Sequence, residues 1–525
     1  MNEHVEQNKK QMLLEKAPPV VALSCGSLEG RVRTGADGRD VLTFYGVPYA
    51  AAERFGAPRP VSWQGIRQAD RMGKWAFQSG FDGQCSMEQC RADCLNLNII
   101  TPDLEGNRPV LVNIHGGAFQ NGNTDDLTNP GEGFLKDQKF VYVVPAYRLG
   151  VWGWLDVSGE EGFGEERYQT AGNNGLLDLI AALKWVQQHI SAFGGDPANV
   201  VIAGESAGAK LIGGLMASPL ARELFDRVIL SSGAVQGIRT KETAKCIYKR
   251  FLACAGATSS EELLQLSDAQ LLEAQKKLCA FFSTCHFGPV ADGILIPEDW
   301  REQLHGGTGF TGAALLGCNR NELGFYKEIP DLEQISSRMT ESLFGENGVI
   351  ADAFIAEIPK DLPEETRRQQ ICDILSDTMY RTHTYGLANT LAWNGSPVWL
   401  YSLEGAEATH ASDLTLIWTP ENAEEWPGGM EREDALRRKQ ALIVAYTDFV
   451  MEGSGFWHSY TPEVPMVFRM DTVLQEEILQ KPDAFMEFPE ESLRLTMDAA
   501  HPAGGCDPFP QSFFESCNQL ADKSV

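Results

Sequence analysis

The sequence predicts an α/β fold: a large, mostly parallel central sheet with helices on both faces and helical insertions at one end. Three observations carry that expectation. A strand, a sharp turn and a helix follow one another in ANVVIAGESAGAK, residues 198–210. Apolar strand-like runs alternate with helical patterns from residue 110 to 231, the order of a parallel sheet covered on both sides. Some of those runs, such as VLVNI at 110–114, are apolar enough to sit at a sheet centre rather than half-exposed. Although the chain has 525 residues, no linker-like stretch divides it. The reading is therefore a polar leader over 1–18 and one domain over 19–525, with helical insertions near 240–310 and 331–395.

Taken in order, VVALSC, LEGRVR and VLTFYGVPYA within 19–50 read as short antiparallel strands separated by glycine turns. Residues 51–93 are irregular, CLNLNIIT at 94–101 alternates as a strand, and 140–147 is another buried strand. The clearest helix is 174–193. There Leu176, Leu179, Ile180, Leu183, Val186 and Ile190 share one face, and Asn173 or Asn174 is the expected cap. Gly194-Gly195-Asp196-Pro197 ends it. Further strands are expected at 227–231, 313–317, 398–403 and 466–470, with a helix at 435–451 and an irregular tail beyond 500.

Composition sets outer bounds. The hydrophobic fraction of 43% suits a sizeable core, and the net charge of −28 argues against nucleic acid and anionic membrane surfaces as partners. MNEHVEQNKKQMLLEKAPP lacks the apolar core of a signal peptide, and no run of about 18 apolar residues suits a membrane span. A cytoplasmic location is the default expectation, with secretion open if a leader has been removed. Oligomeric state is not indicated. The twelve cysteines include no C-x-x-C pair, so no zinc site is expected. Buried free thiols are the first expectation, although Cys85, Cys90 and Cys94 are close enough for a local bridge in an oxidising compartment.

The chemistry starts at Gly204-Glu205-Ser206-Ala207-Gly208. Strand, turn and helix make this G-x-S-x-G a nucleophile elbow, with the Ser206 hydroxyl above the sheet at the positive end of the helix dipole. A serine needs a base, and the base needs an orienting acid. In this order of elements both follow the nucleophile. Glu322, in the loop CNRNELG after a strand, stands where the acid belongs, against the simpler reading of a surface carboxylate. Among the six histidines beyond Ser206, His410 and His501 both fit the chain order of a base. HGGAF at 115–119 supplies glycines for an oxyanion hole, with Gly116 and Gly117 joined by the N–H of Ala207.

Together these stretches resemble the type-B carboxylesterases, the α/β-hydrolase family that includes cholinesterases and fungal lipases. The resemblance runs through GVPYA (46–50), ADCLNLNIITP (92–102), HGGAF, YRLGVWGWL (147–155), the whole of 173–209, FGPVADG (287–293) and HASDL (410–414). It implies an α/β-hydrolase fold and hydrolysis of small to medium carboxylic esters through an acyl-enzyme, without metal or cofactor. It further implies Ser206 as nucleophile, Glu322 as acid and His410, rather than His501, as base. Glu205 resembles the family's second carboxylate beside the site, and Phe119, Trp152 and Trp154 are candidate pocket walls. Lipase, amidase or carbamate hydrolase chemistry on the same triad is the neighbouring reading. A non-catalytic, neuroligin-like binding protein is the distant one.

Three departures from the family pattern stand out. Leu323 follows the acid where glycine is usual, so strain is expected there if φ must be positive. The disulfide loop ending at Cys94 is shortened, which puts a bridge to Cys85 or Cys90 in doubt. Lys210 replaces a small or apolar residue one turn beyond Ser206. Its charge must be paired or reach water, which leaves a structural ion pair or a pocket cation that favours acidic acyl groups.

Overall fold

A computed structural model describes residues 17–34, 39–80, 85, 88–128, 139–281, 287–330, 332–333, 336, 340 and 348–479. His501 and the tail beyond 500 lie outside the described residues, as do most of the leader and part of the second insertion.

The frame is an eleven-stranded sheet. Its strands are β1 (Arg31–Thr34), β2 (Asp40–Pro48), β3 (Asn96–Thr101), β4 (Arg108–Ile114), β5 (Val141–Pro145), β6 (Gly195–Glu205), β7 (Arg227–Ser231), β8 (Ala313–Asn319), β9 (Val398–Leu403), β10 (Met466–Met470) and β11 (Leu474–Ile478). In space they run β1-β2-β3-β5-β4-β6-β7-β8-β9-β10-β11. Every pair from β5 through β10 is parallel. The two ends are closed by antiparallel strands. Of the expected antiparallel opening, only β1 and β2 join this sheet. Val20–Leu23 and Gly26–Glu29 pair with each other and then with Ile66–Gln68 in a separate small sheet.

The central strands are apolar because both faces are covered. Along β6, Val200 and Ile202 enter one core while Val201 and Ala203 enter the other, and β4, β7 and β8 alternate likewise. Helix α1 (Asn174–His189) and helix α2 (Ala207–Ala217) supply Leu176, Leu179, Leu211 and Ile212 to the first core. The insertions then contribute α3 (Lys241–Ala255), α4 (Asp268–Phe281), α5 (Glu364–Ser376) and α6 (Thr382–Trp393). Between α5 and α6 the chain makes a single π-turn, Asp377–Arg381. Helix α7 (Ser412–Trp418) precedes α8 (Arg432–Glu452), which packs Leu442, Ala445 and Phe449 on the second face. No described helix is long and apolar enough to cross a membrane.

Helix α1 stops short of the expected end: a 3-10 turn covers Ile190–Phe193 before left-handed Gly194. Its expected side-chain cap is also absent. Asn173 occupies the N-cap position, yet its amide donates to the Val290 carbonyl and to Asp292, while its oxygen accepts from Val290 N–H. Asn174 donates instead to the Phe55 carbonyl. These buried amides are instead spent on the backbone of distant loops, which would otherwise be left with unpaired buried polar groups.

The loop after β5 is tied to α1 by a buried ion pair. Arg148 meets Asp178 through Nε and Nη2, each at 2.8 Å, and Asp178 also accepts the Arg148 backbone N–H. Asp178 is fully buried, so removing its partner strands a charge. Arg148→Met is expected to destabilise the protein by about 3–5 kcal/mol in urea titrations.

Candidate active site

The elbow forms where β6 passes into α2. Ser206 has φ +54° and ψ −119°, outside the regions that an L-residue ordinarily occupies. Its neighbours make that turn possible. A Cβ on Gly204 would lie 2.6 Å from the Gly208 carbonyl carbon, and one on Gly208 only 2.2 Å from the Ile114 carbonyl oxygen. The first turn of α2 therefore packs directly on the end of β4, which delivers the HGGAF loop. Ser206 N–H donates to the Ser231 carbonyl at the end of β7, which anchors the turn from the other side.

That loop runs beside the serine: a Cβ on Gly116 would come within 3.3 Å of Ser206 Cβ. Gly117 adopts φ +101°, and Ala118 and Phe119 are also left-handed at +53° and +63°. His115 holds the turn. Its Nδ1 lies 2.9 Å from the Gly116 carbonyl and its ring stacks on Tyr147, whose hydroxyl donates to the His115 carbonyl. Burial pushes His115 down to about 4, which keeps the ring neutral. The N–H groups of Gly116 and Gly117 donate to nothing among the described residues. Ala207, first in α2, carries one of the N–H groups a helix start leaves unsatisfied.

Glu322 lies in the loop after β8, pinned where Arg320 and Asn321 N–H donate to the Leu403 and Ala408 carbonyls. The side chain is fully buried, and Oε1 accepts from Ser232 Oγ at 2.6 Å and from Asn319 N–H at 2.8 Å. Leu323 is not strained: at φ −109° it sits in ordinary backbone space, and its side chain packs in a small cluster with Tyr326 and Tyr380. The expected glycine conformation is not needed because Leu323 N–H turns to Ser376 Oγ at 2.9 Å.

His410 stands between β9 and α7, and its N–H donates to the Glu322 carbonyl. Its Nδ1 is 2.6 Å from Glu322 Oε2, and its Nε2 is 2.8 Å from Ser206 Oγ. With Nδ1–H donated to the carboxylate, the Nε2 lone pair faces the serine hydroxyl. Glu205 Oε1 lies 3.3 Å from the same Nε2. Burial opposes charge on the ring, but Glu205 and then Glu322 outweigh it and raise His410 above the usual imidazole range. Burial likewise raises Glu205, against the pull of His410 and Lys210.

Behind Glu322 is a second buried carboxylate that the sequence does not announce as part of the site. Asp413 accepts from Tyr401 OH at 2.7 Å, from Ser231 Oγ and from Asn319 Nδ2 at 3.2 Å. Asn319 thus links both acids to the end of β8.

The candidate pocket residues divide. Phe119 is fully buried and meets Trp154 edge-on; its ring tip and Lys210 Cβ both flank Gly237. Trp152 packs against Phe77 and donates Nε1–H to Asp268, contacts that do not include the Ser206–His410–Glu322 group. Lys210 is buried, with its ammonium 4.8 Å from the Tyr380 ring centroid; that ring is 4.6 Å from His410. Sequence reasoning missed Tyr380, since a tyrosine in an insertion carries no positional signal. The Cys85 and Cys90 sulfurs approach to 3.1 Å as thiols, and burial pushes the Cys94 thiol up to about 12.

The close fit at the elbow makes Gly208→Ala informative. The clash with the Ile114 carbonyl is expected to cost about 2 kcal/mol or more and to lower activity with stability, read by thermal melting and turnover.

Residues 17–472 match the profile described as the Carboxylesterase family. The para-nitrobenzyl esterase of Bacillus subtilis is 31% identical over 425 residues, covering 76% of this chain and 82% of that protein. Human carboxylesterase 3 is 29% identical over 437 residues, covering 76% of this chain and 74% of its own. The crystal structure of Geobacillus stearothermophilus carboxylesterase EST55 at pH 6.2 superposes with a TM-score of 0.74 at 29% identity, over 88% of this chain and 98% of that one. On these matches the chain belongs to the carboxylesterase family and is a serine hydrolase of carboxylic esters.

Proposed function

We propose that Ser206, His410 and Glu322 are the triad of this esterase. The observation that carries the reading is the unbroken relay from Ser206 Oγ through the two ring nitrogens of His410 to Glu322 Oε2, at 2.8 and 2.6 Å. His410 Nε2 takes the hydroxyl proton as Ser206 attacks the ester carbonyl. Glu322 holds the ring in the needed tautomer and stabilises the imidazolium that forms. The tetrahedral oxyanion is received by the N–H groups of Gly116, Gly117 and Ala207, whose strained, glycine-dependent turns hold them ready before substrate arrives. The alcohol leaves with the proton from His410, and water enters by the same relay to release the acid. Substrates are small-molecule esters of short to medium acyl chain; that small-molecule esters are the substrate class is in keeping with the para-nitrobenzyl esterase relative.

Glu205 raises the proton affinity of His410, so activity is expected to fall as pH drops through a midpoint above the usual imidazole value of ~6.5. Glu205→Gln removes that anion and moves the acid limb of kcat/KM to lower pH. Ser206→Ala is expected to reduce hydrolysis of p-nitrophenyl acetate and butyrate by about 10⁴-fold or more. Comparable turnover by the folded variant would refute the triad. A preference for p-nitrophenyl palmitate over butyrate would instead point to a lipase.

A further inference from the structure

We propose that Lys210 is a positioning residue for this reaction: a buried cation that shares the Tyr380 ring with His410 and opposes protonation of the imidazole, so that the neutral, proton-accepting ring forms at a lower pH than Glu205 and Glu322 alone would allow. The inference rests on the reading of His410 as the base.

The geometry around His410 poses a problem that Lys210 addresses. Two carboxylates approach the ring, Glu322 at 2.6 Å from Nδ1 and Glu205 at 3.3 Å from Nε2. Both favour the imidazolium, which is required in the transition state but useless at rest, because a protonated Nε2 cannot accept the Ser206 proton. A base in this setting needs a cation near enough to offset one anion, and placed so that it does not take the hydrogen bond of the ring. Helix α2 delivers that cation one turn past the nucleophile.

The charged and titratable groups that interact around Lys210 come from several elements, and Arg301 also acts on His383. Glu205 comes from the end of β6, Glu322 from the loop after β8, Asp413 from α7, Tyr380 from the π-turn and His383 from α6. Lys210 is only 1% exposed, and its ammonium lies 4.8 Å from the Tyr380 ring centroid, a cation–π contact in a dry setting. The same ring lies 4.6 Å from the His410 ring, so the ammonium and the imidazole share one wall. The charge of Lys210 disfavours a proton on His410 and on Glu205 alike. His383 does not add a second charge: burial, then Lys210 itself, push it down to about 3. The π-turn is the backbone device that brings Tyr380 to this position, and single π-turns inside helices are common where a side chain is set for function.

The sign of the effect is fixed whichever partner holds the proton. Adding one proton to the His410–Glu205 pair raises its charge by one, and Lys210 opposes that step. Without Lys210 the proton binds more tightly, and a higher pH is required to free the base. The direction is opposite to that expected for Glu205→Gln.

The test is the pH profile of kcat/KM on p-nitrophenyl butyrate for the full chain and for Lys210→Met, Lys210→Gln and Lys210→Arg, with melting temperature as a check on folding. The neutral variants are expected to shift the acid limb upward by about 0.5–1 pH unit, and Lys210→Arg to restore it. At a pH one unit below the original midpoint, that shift reads as a loss of about 3- to 9-fold relative to the unaltered chain. Lys210→Gln answers the question if Lys210→Met does not fold. An acid limb left in place in a folded neutral variant overturns the proposal and leaves Lys210 with a purely structural role. An unmoved limb together with a loss confined to carboxylate-bearing esters also overturns it, in favour of a cation that binds substrate. Ser206→Ala is assayed in parallel. Persistent hydrolysis there would sink the triad itself, whereas an inert Ser206→Ala with an unmoved Lys210→Met limb sinks only the role of Lys210.

Discussion

The contact on which the rest of the site depends is backbone against backbone, where the first turn of α2 lies on the end of β4. No side chain fits between Gly208 and the Ile114 carbonyl, and that closeness brings two chain segments with opposite tasks together. One presents the Ser206 hydroxyl; the other presents the Gly116 and Gly117 N–H groups. In the proposed reaction the nucleophile and its oxyanion donors must be held to within a few tenths of an ångström of their required separation. Here the backbone supplies the precision, and it is held under strain by left-handed Ser206, Ala118 and Phe119. The parallel core supports that strain: β4, β6 and β7 are adjacent strands, buried on both faces.

Burial then dictates the polar chemistry behind the serine. Glu322 and Asp413 are both fully buried, and each charge is met by directed donors rather than by water: Ser232 and Asn319 for one, Tyr401, Ser231 and Asn319 for the other. Such a network is costly if any member is missing and rigid when complete. The ends of β7, β8 and β9 and the start of α7 are thereby locked in one arrangement. His410, between β9 and α7, inherits its position from that lock as much as from its own bond to Glu322.

Legibility in the sequence follows the range of the interactions. Strands at the sheet centre were readable because burial on both faces leaves an unbroken apolar run, and β7, β9 and β10 match the expected spans. Strand β11, LQEEI, was not readable: it is a polar, mostly exposed edge strand with no apolar period to show. The split of the N-terminal strands between two sheets, and the placement of β5 between β3 and β4, are decisions of tertiary packing that no local pattern encodes. Ser206 and the HGG loop were legible because strand, glycine and helix are neighbours in sequence. Glu322 and His410 could be narrowed by chain order, but the choice of His410 over His501 came from family resemblance. Asn319, Ser232 and Tyr380 carry no such signal, since they reach the site only through the fold. Trp152, the other aromatic singled out near the motifs, packs on Phe77 and donates to Asp268, partners that lie far from it in sequence.

The surroundings of His410, the proposed base, show why such a group cannot be judged by its hydrogen bonds alone. Glu322 must be close to orient the ring, and Glu205 is held beside Nε2 by its place next to the nucleophile. Both therefore favour the charged ring whether or not substrate is present. Burial presses the other way, because a dry site disfavours any charged form. The balance between these two pressures decides how much of the resting enzyme has a free lone pair on Nε2. A side chain that alters the field without touching the ring can adjust that balance and leave the relay geometry intact. In this chain the position one turn beyond the serine holds such a group, the buried Lys210. A charge at a fully buried position is thus best examined as electrostatics first, because it acts on every titrating neighbour whether or not it forms a bond with it.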